Sequence, residues 1–278
     1  MITKASPAKV NLYLRVLRKR EDGYHDILSL MQRISLCDEM TFAPTAGGIA
    51  VRCPGTTLPE DEGNIVYRAA AAFFSRIGTS PGIEITIRKR IPIAAGLGGG
   101  SSNAATTLMT LNEMYGSPMT REELMKIGTG LGADVPFFIF GKTAWTSGIG
   151  DRFPETPILP PFWFVLINPG FAISTKLVYQ GLNFGLTKQG INYSIPRFST
   201  KEDVIGGLTN DLEKVTVKLH PILDEIKALL LASGARGALM SGSGPTVFGI
   251  FTDRESAGKA KEELRQGARW RVFGAQSL

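Results

Sequence analysis

The sequence predicts an α+β protein in two parts, and three observations carry that prediction. Stretches in which apolar and polar residues alternate, as in half-buried strands, are interspersed with stretches whose apolar residues recur at helical spacing. Four prolines crowd into the eight residues from Pro154 to Pro161, where neither a helix nor a central strand continues easily. A run from Gly96 to Ser102, all Gly and Ser except Leu97, leads straight into a helical pattern. The prolines divide the chain into 1–155 and 156–278.

Taken in order, the elements begin with "AKVNLYLRV". There Val10, Leu12, Leu14 and Val16 alternate with Lys9, Asn11, Tyr13 and Arg15, a half-buried strand that sets Lys9 and Asn11 together on its more polar face. Asp22-Gly23 signals a turn, and 27–42 reads as strand. Asn64 is a favoured N-cap, followed by "NIVYRAAAAFF" as helix. Ile83, Ile85 and Ile87 form another alternating strand leading toward the glycine run. Beyond it Ala104, Leu108, Leu111 and Tyr115 share one helix face. Thr120 and Glu123 are spaced as a capping box, opening a helix to about Gly128. After the prolines, "FWFVLIN" is a strand, "PILDEIKALLLAS" a helix and "GALMSGSGPTVFGIF" a strand, glycine turn and strand. Asp253 caps a helix with Ala257, Ala260 and Leu264 on one face, and "RWRVFGA" is a closing strand. Mixed elements with short connections place this half in the α+β class.

Composition narrows the function classes. At 278 residues, 43% hydrophobic and 20% charged, the chain suits a soluble globular protein. "PFFIF" and "FWFVLI" are of core-strand length, far short of the ~18 apolar residues a membrane span needs. The first residues lack the order of a signal peptide, and Cys37 and Cys53 fit no disulfide framework, so the expected location is cytoplasmic. With His25 and His220 the only histidines, a structural zinc site is not expected. The net charge is +6, but the basic clusters at 18–20 and 88–90 lack interleaved aromatics, so no nucleic-acid partner and no membrane partner are expected.

The glycine run points to phosphate. A helix N-terminus carries unpaired N–H groups and partial positive charge, and glycines remove the Cβ atoms that would keep an anion away. The known phosphate loops do not fit: Gly100 is followed by Ser101 and Ser102 rather than Lys and Ser/Thr, Ser101 breaks G-x-G-x-x-G, and neither H-R-D nor D-F-G occurs. In "GADVPFFIFG", Asp134 either caps a short helix or offers a carboxylate half-sheltered by Phe137 and Phe138. In "EDGYHDI", Tyr24 and His25 either sit on an ordinary exposed turn or form a recognition pair. "SGSGPT" at 241–246 reads as a structural glycine turn.

The succession "PAKVNLYL", "GLGGGSSNAA", "LGADVPFF" and "SGSGPTVF" resembles the GHMP kinase superfamily, whose members phosphorylate small hydroxyl compounds with ATP. The likeness runs through most of 1–150 and returns at "NPG", "NDLE" and "SGSGPT". It implies a two-domain GHMP kinase fold: a ribosomal-protein-S5-domain-2-like N-terminal, ATP-binding domain over 1–155 and a ferredoxin-like α/β sandwich over 156–278, with the active site in the cleft between them. It implies that Pro92, Ile93, Ala94, Ala95, Gly96, Leu97, Gly98, Gly99, Gly100, Ser101 and Ser102 wrap the ATP triphosphate, accompanied by Mg²⁺; the sequence assigns that metal no protein ligand, Ser101 being a candidate and no more. Asp134 is then the base toward the accepting hydroxyl, with Lys9 beside it. Asn11, Tyr24 and His25 contact the cytidine end of a small-molecule acceptor bearing a cytidine diphosphate group, and Tyr179, counted on from Pro169-Gly170, stacks on the cytosine. The alternatives are a homoserine- or mevalonate-type kinase, against which "GYHDI" argues, and a non-catalytic RNA-binding protein of related N-terminal fold. A monomer or weak homodimer is expected, and 185–205 is expected to be a variable loop near the acceptor.

Overall fold

Two unusually long strands open the chain, β1 (Ile2–Lys19) and β2 (His25–Thr45), joined by a turn in which Gly23 takes a φ of 86°. This is a computed structural model that describes residues 1–79, 81–182, 194–267 and 269–278. There follow β3 (Ile49–Arg52), α1 (Ile65–Ile77), β4 (Gly82–Arg88), α2 (Gly99–Met114), α3 (Arg121–Leu131) and α4 (Val135–Phe140). Next come β5 (Ala144–Ser147), β6 (Arg152–Glu155), β7 (Trp163–Asn168), α5 (Thr175–Gln180), α6 (Lys201–Gly206), β8 (Thr209–Asn210) and α7 (Glu213–Leu219). The chain ends with α8 (Ile222–Ala232), β9 (Gly237–Met240), β10 (Val247–Phe251), α9 (Arg254–Gln266) and β11 (Arg271–Gln276).

The residues gather into two compact units that interleave along the chain, because β1 and β2 are long enough to serve both. One comprises Met1–Ala8, Cys37–Ile91 and Gly98–Lys142; the other comprises Lys9–Leu36, Pro92–Leu97 and Thr143–Leu278.

In the first unit, Glu39–Thr45 of β2 runs antiparallel to β4, and β3 runs parallel to β4. The side chain of Asn64 accepts from Val66 N at 2.9 Å, the cap its position suggested, and Gly78 ends α1 in the left-handed region. α2 is buried nearly all round, from Ser102 to Leu108 and again at Thr110–Asn112, so it is a core helix rather than a one-faced one. The Thr120–Glu123 capping box is present at the start of α3. "PFFIF", of strand length, is helix α4. Pro136 stands in its first turn, where a missing N–H costs nothing, and Gly141 closes it at φ 79°.

In the second unit, β10 runs antiparallel to β7 and β9, and β11 runs antiparallel to β7. The order across this sheet is β11-β7-β10-β9, the arrangement of a ferredoxin-like βαββαβ unit, with α8 and α9 packed on it. Its core includes Val165, Ile167, Leu223, Ile226, Leu230, Val247, Phe251, Ala257, Ala260 and Leu264. Ser29–Met31 of β2 pair with β5, and among the described residues β6 pairs with β5 alone. The proline-rich segment therefore begins inside a strand: Pro154 lies in β6, an edge position that does not need its N–H. Of 185–205, residues 185–193 lie outside the described residues, and Lys201–Gly206 is helical, held by a capping box between Thr200 and Asp203.

Candidate active site

Lys9 and Asn11 stand two residues apart on β1, on one face of the strand. That strand is not half-buried here: residues 6–12 are buried throughout, Lys9 and Asn11 included. Burying an ammonium is costly without a partner, and Lys9 Nζ donates to Asn11 Oδ1 at 2.6 Å. Asn11 Nδ2 donates to Ser29 Oγ at 2.8 Å, and Ser29 Oγ donates to the Tyr13 carbonyl at 2.7 Å, which keeps the Asn11 oxygen turned toward Lys9.

The first limb of the glycine run lies against the same strand, with Lys9 N donating to the Leu97 carbonyl at 3.0 Å. Its other side meets the "SGSG" turn. Ser241 Oγ donates to the Gly96 carbonyl at 2.9 Å, and a Cβ on Gly96 would stand 2.0 Å from the Ser241 carbonyl oxygen. Gly96 has φ 77° and Gly98 φ 69°, so the run needs glycine at these two places for its backbone, and at Gly96 for space as well. Ala94 also has a positive φ, 52°. Gly98 is the N-cap of α2 and supplies no side-chain cap, leaving the first-turn amides to other acceptors. The second glycine turn is itself fixed from below: Asn210 Nδ2 donates to the carbonyls of Met240 at 2.7 Å and Gly242 at 2.8 Å.

Asp134 closes the Gly132-Ala133-Asp134 turn ahead of α4 and is half-buried, and its side chain makes no capping bond to that helix. In the same unit α4 packs on α2, and a Cβ on Gly132 would come 3.7 Å from Ser101 Oγ. The turn carrying Asp134 thus adjoins the first turn of the helix that the glycines open. Among the described residues no three His, Cys, Asp or Glu side chains come together as a metal-binding group.

Of the ring-bearing residues, Tyr24 lies just ahead of β2, His25 begins β2 and Tyr179 is on α5. The Asp22-Gly23 turn is closed by Arg20 N donating to the Tyr24 carbonyl at 2.8 Å and by Tyr24 N donating to Asp22 Oδ1 at 3.1 Å. The Tyr24 side chain is 58% exposed. His25 stacks on Tyr179, ring centroids 4.8 Å apart and planes tilted 30°. Burial first, and then the nearby Lys19 charge, hold the His25 imidazole below its ordinary pKa and so neutral at pH 7.

The structure therefore gathers Lys9 with Asn11, Ala95–Leu97 and the 241–244 turn, Asp134 with Ser101, and His25 with Tyr179. The sequence alone assigned no role at the site to Asn210, Ser241, Asp38, Lys89 or Asn103, whose partners are distant in the chain. "NDLE" hinted at the first of these without showing what its amide would hold.

A bare glycine loop feeding a buried helix, with a ferredoxin-like sheet whose β9–β10 turn braces that loop, defines a GHMP-type small-molecule kinase. The models for the GHMP kinases N terminal domain and the GHMP kinases C terminal match residues 64–142 and 199–269. Over 278 residues, covering 100% of both chains, this chain is 58% identical to the 4-diphosphocytidyl-2-C-methyl-D-erythritol kinase of Syntrophus aciditrophicus (strain SB). A crystal structure of 4-(cytidine 5′-diphospho)-2C-methyl-D-erythritol kinase matches with a TM-score of 0.82 at 35% identity, covering 99% of each chain. The homoserine kinase of Cytophaga hutchinsonii ATCC 33406, 21% identical with a TM-score of 0.74 over 100% of this chain and 94% of its own, shares the fold alone. The chain belongs to the 4-diphosphocytidyl-2-C-methyl-D-erythritol kinase family, and the non-catalytic RNA-binding alternative falls away.

Proposed function

We propose that the protein transfers the γ-phosphoryl group of ATP to the 2-hydroxyl of 4-diphosphocytidyl-2-C-methyl-D-erythritol, giving the 2-phosphate and ADP, in the non-mevalonate route to isopentenyl diphosphate. The observation that carries this reading is the stacking of His25 on Tyr179, with a neutral imidazole, in a chain whose family match spans its full length. A neutral imidazole offers one donor and one acceptor, as the edge of cytosine requires. Asn11 and Tyr24 complete the cytidine contacts, and Tyr24 presents an exposed ring for stacking.

Phosphoryl transfer needs mainly alignment and charge stabilisation from a protein. The backbone of 92–102 holds the triphosphate, with the amides at the start of α2 facing its oxygens. Asp134 takes the proton of the attacking hydroxyl. Lys9 supplies positive charge to the group in transit. Ser101, in the first turn of α2, has a hydroxyl that would suit a Mg²⁺ ion arriving with the nucleotide, which would supply charge neutralisation at the phosphates.

The division into 1–155 and 156–278 is part of this proposal, and the two matched family segments fall on either side of it. So is a cytoplasmic location for a monomer or weak homodimer without nucleic-acid or membrane partners; among the described residues no helix is long and apolar enough to cross a membrane.

The test is ADP release with ATP and, in turn, the cytidylylated acceptor, homoserine and mevalonate, with the phosphorylated position read by phosphorus NMR. Turnover with the first acceptor alone is the expected result. Turnover with either of the others instead would overturn the assignment.

A further inference from the structure

One carboxylate in the first unit touches both ends of the glycine loop. Asp38, on β2, has a fully buried side chain. Its Oδ1 accepts from Arg90 N at 2.8 Å and Ile91 N at 2.9 Å, the last two residues before the loop. Its Oδ2 accepts from Asn103 Nδ2 at 3.0 Å, the fifth residue of α2, and from Lys89 Nζ. Lys89 Nζ also donates to Asn103 Oδ1 at 3.0 Å and would lie 3.2 Å from a Cβ on Gly99. Asn103 Nδ2 reaches Ser6 Oγ at 2.9 Å, and Ser6 Oγ donates to Ser102 Oγ at 2.8 Å.

A buried ion pair is a poor device for stability alone, since apolar packing of the same volume serves as well or better. What it adds is geometry, because every group in a fully bonded buried network has a single orientation. Here that geometry fixes where the chain enters the loop and where it leaves. We infer that Asp38, through Lys89 and Asn103, is a positioning residue for nucleotide binding, holding both stems of 92–102 at the separation the triphosphate requires. The inference rests on the phosphate-loop reading above.

The experiment is steady-state kinetics on the full-length enzyme, varying ATP and acceptor separately, with melting temperatures recorded alongside. For Asp38→Asn the KM for ATP should rise about 10-fold or more while the acceptor KM stays within about twofold, since displaced binding groups lose affinity selectively. A merely structural role would lower kcat in step with the folded fraction and leave both KM values at wild type, and that result overturns the inference. Should Asp38→Asn fail to fold, Asn103→Ala decides: it spares the ion pair and cuts the link to α2. A raised ATP KM there supports the inference, and an unchanged one overturns it. A wild-type enzyme that never saturates with ATP would instead overturn the loop reading itself, before any variant is made.

Discussion

The glycine loop and the tip of the β1–β2 hairpin are both turns that carry proposed binding groups, yet different forces hold them. Around the loop the chain is packed so closely that Gly96 has no room for a methyl group, and buried hydrogen bonds fix Ala95–Leu97 against β1 and the 241–244 turn. At the hairpin tip the turn's own hydrogen bonds are joined by ion pairs whose arginines face solvent. Arg20 Nη2 lies 2.8 Å from Asp22 Oδ2, and Arg18 Nε lies 2.5 Å from Asp26 Oδ2, with the Arg18 side chain 63% exposed. Solvent-facing pairs of this kind add little to stability and weaken with salt. Changes in the loop should therefore register in stability and ATP binding together, whereas changes at the tip should register in acceptor binding with the fold intact.

The largest expected effect lies outside both regions and sets the scale. Asp134→Asn should lower kcat by about 10²–10⁴-fold, the range for a lost general base, with ATP binding little altered. An unchanged kcat would remove Asp134 from the chemistry. Within the loop, two glycines separate packing from ligand contact. Gly96→Ala should destabilise by ~1–3 kcal/mol from crowding, with about 1–2 kcal/mol more from its left-handed backbone. Gly100 meets nothing nearer than Ile65 Cγ2 at 3.9 Å and sits in the first turn of α2. Gly100→Ala should therefore stabilise the fold by up to ~1 kcal/mol of helix propensity, seen as a higher melting temperature, while raising the KM for ATP. If both measures improve, phosphate does not approach the backbone there.

Local chemistry made much of this molecule legible before any coordinates. The caps at Asn64, Thr120 and Asp253 are single-residue signals, and all three form the bonds expected of them. The short helices α5, α6 and α7 escaped because six or seven residues show too little periodicity to distinguish helix from loop. "PFFIF" was ambiguous for the same reason, since length suggests a strand and only the proline in the first turn favours the helix. At the site, the pairing of Lys9 with Asn11 follows from strand period alone. That the face is buried does not, because burial is decided by what packs over it. The brace between Gly96 and Ser241 spans 145 residues, and no local pattern encodes it.

At the hairpin, Tyr24→Ala should raise the acceptor KM by about 5–150-fold, the equivalent of ~1–3 kcal/mol for one stacked base, with the melting temperature unchanged because the ring is exposed. An equal rise in the ATP KM would contradict the cytidine assignment.

The smallest effect is the most specific. His25 titrates below the ordinary ~6.5 of histidine, chiefly through burial and secondarily through Lys19. If its neutral ring reads cytosine, the acceptor KM should be flat from pH 8 to about 6.5 and rise on further acidification. Lys19→Ala removes the lesser cause, so the rise should move to slightly higher pH without disappearing. Stability carries the same signature. Between the folded and unfolded pKa values the unfolded chain binds the extra proton, so the His25 contribution is complete above about 6.5 and declines as pH falls toward the folded value. The melting temperature of the wild type should accordingly lose more on acidification through that window than that of His25→Gln. An acceptor KM that falls on acidification would mean the charged ring is the one that binds, and the contrast between a sterically fixed loop and a hydrogen-bonding hairpin would then have to be redrawn around an ionic acceptor contact.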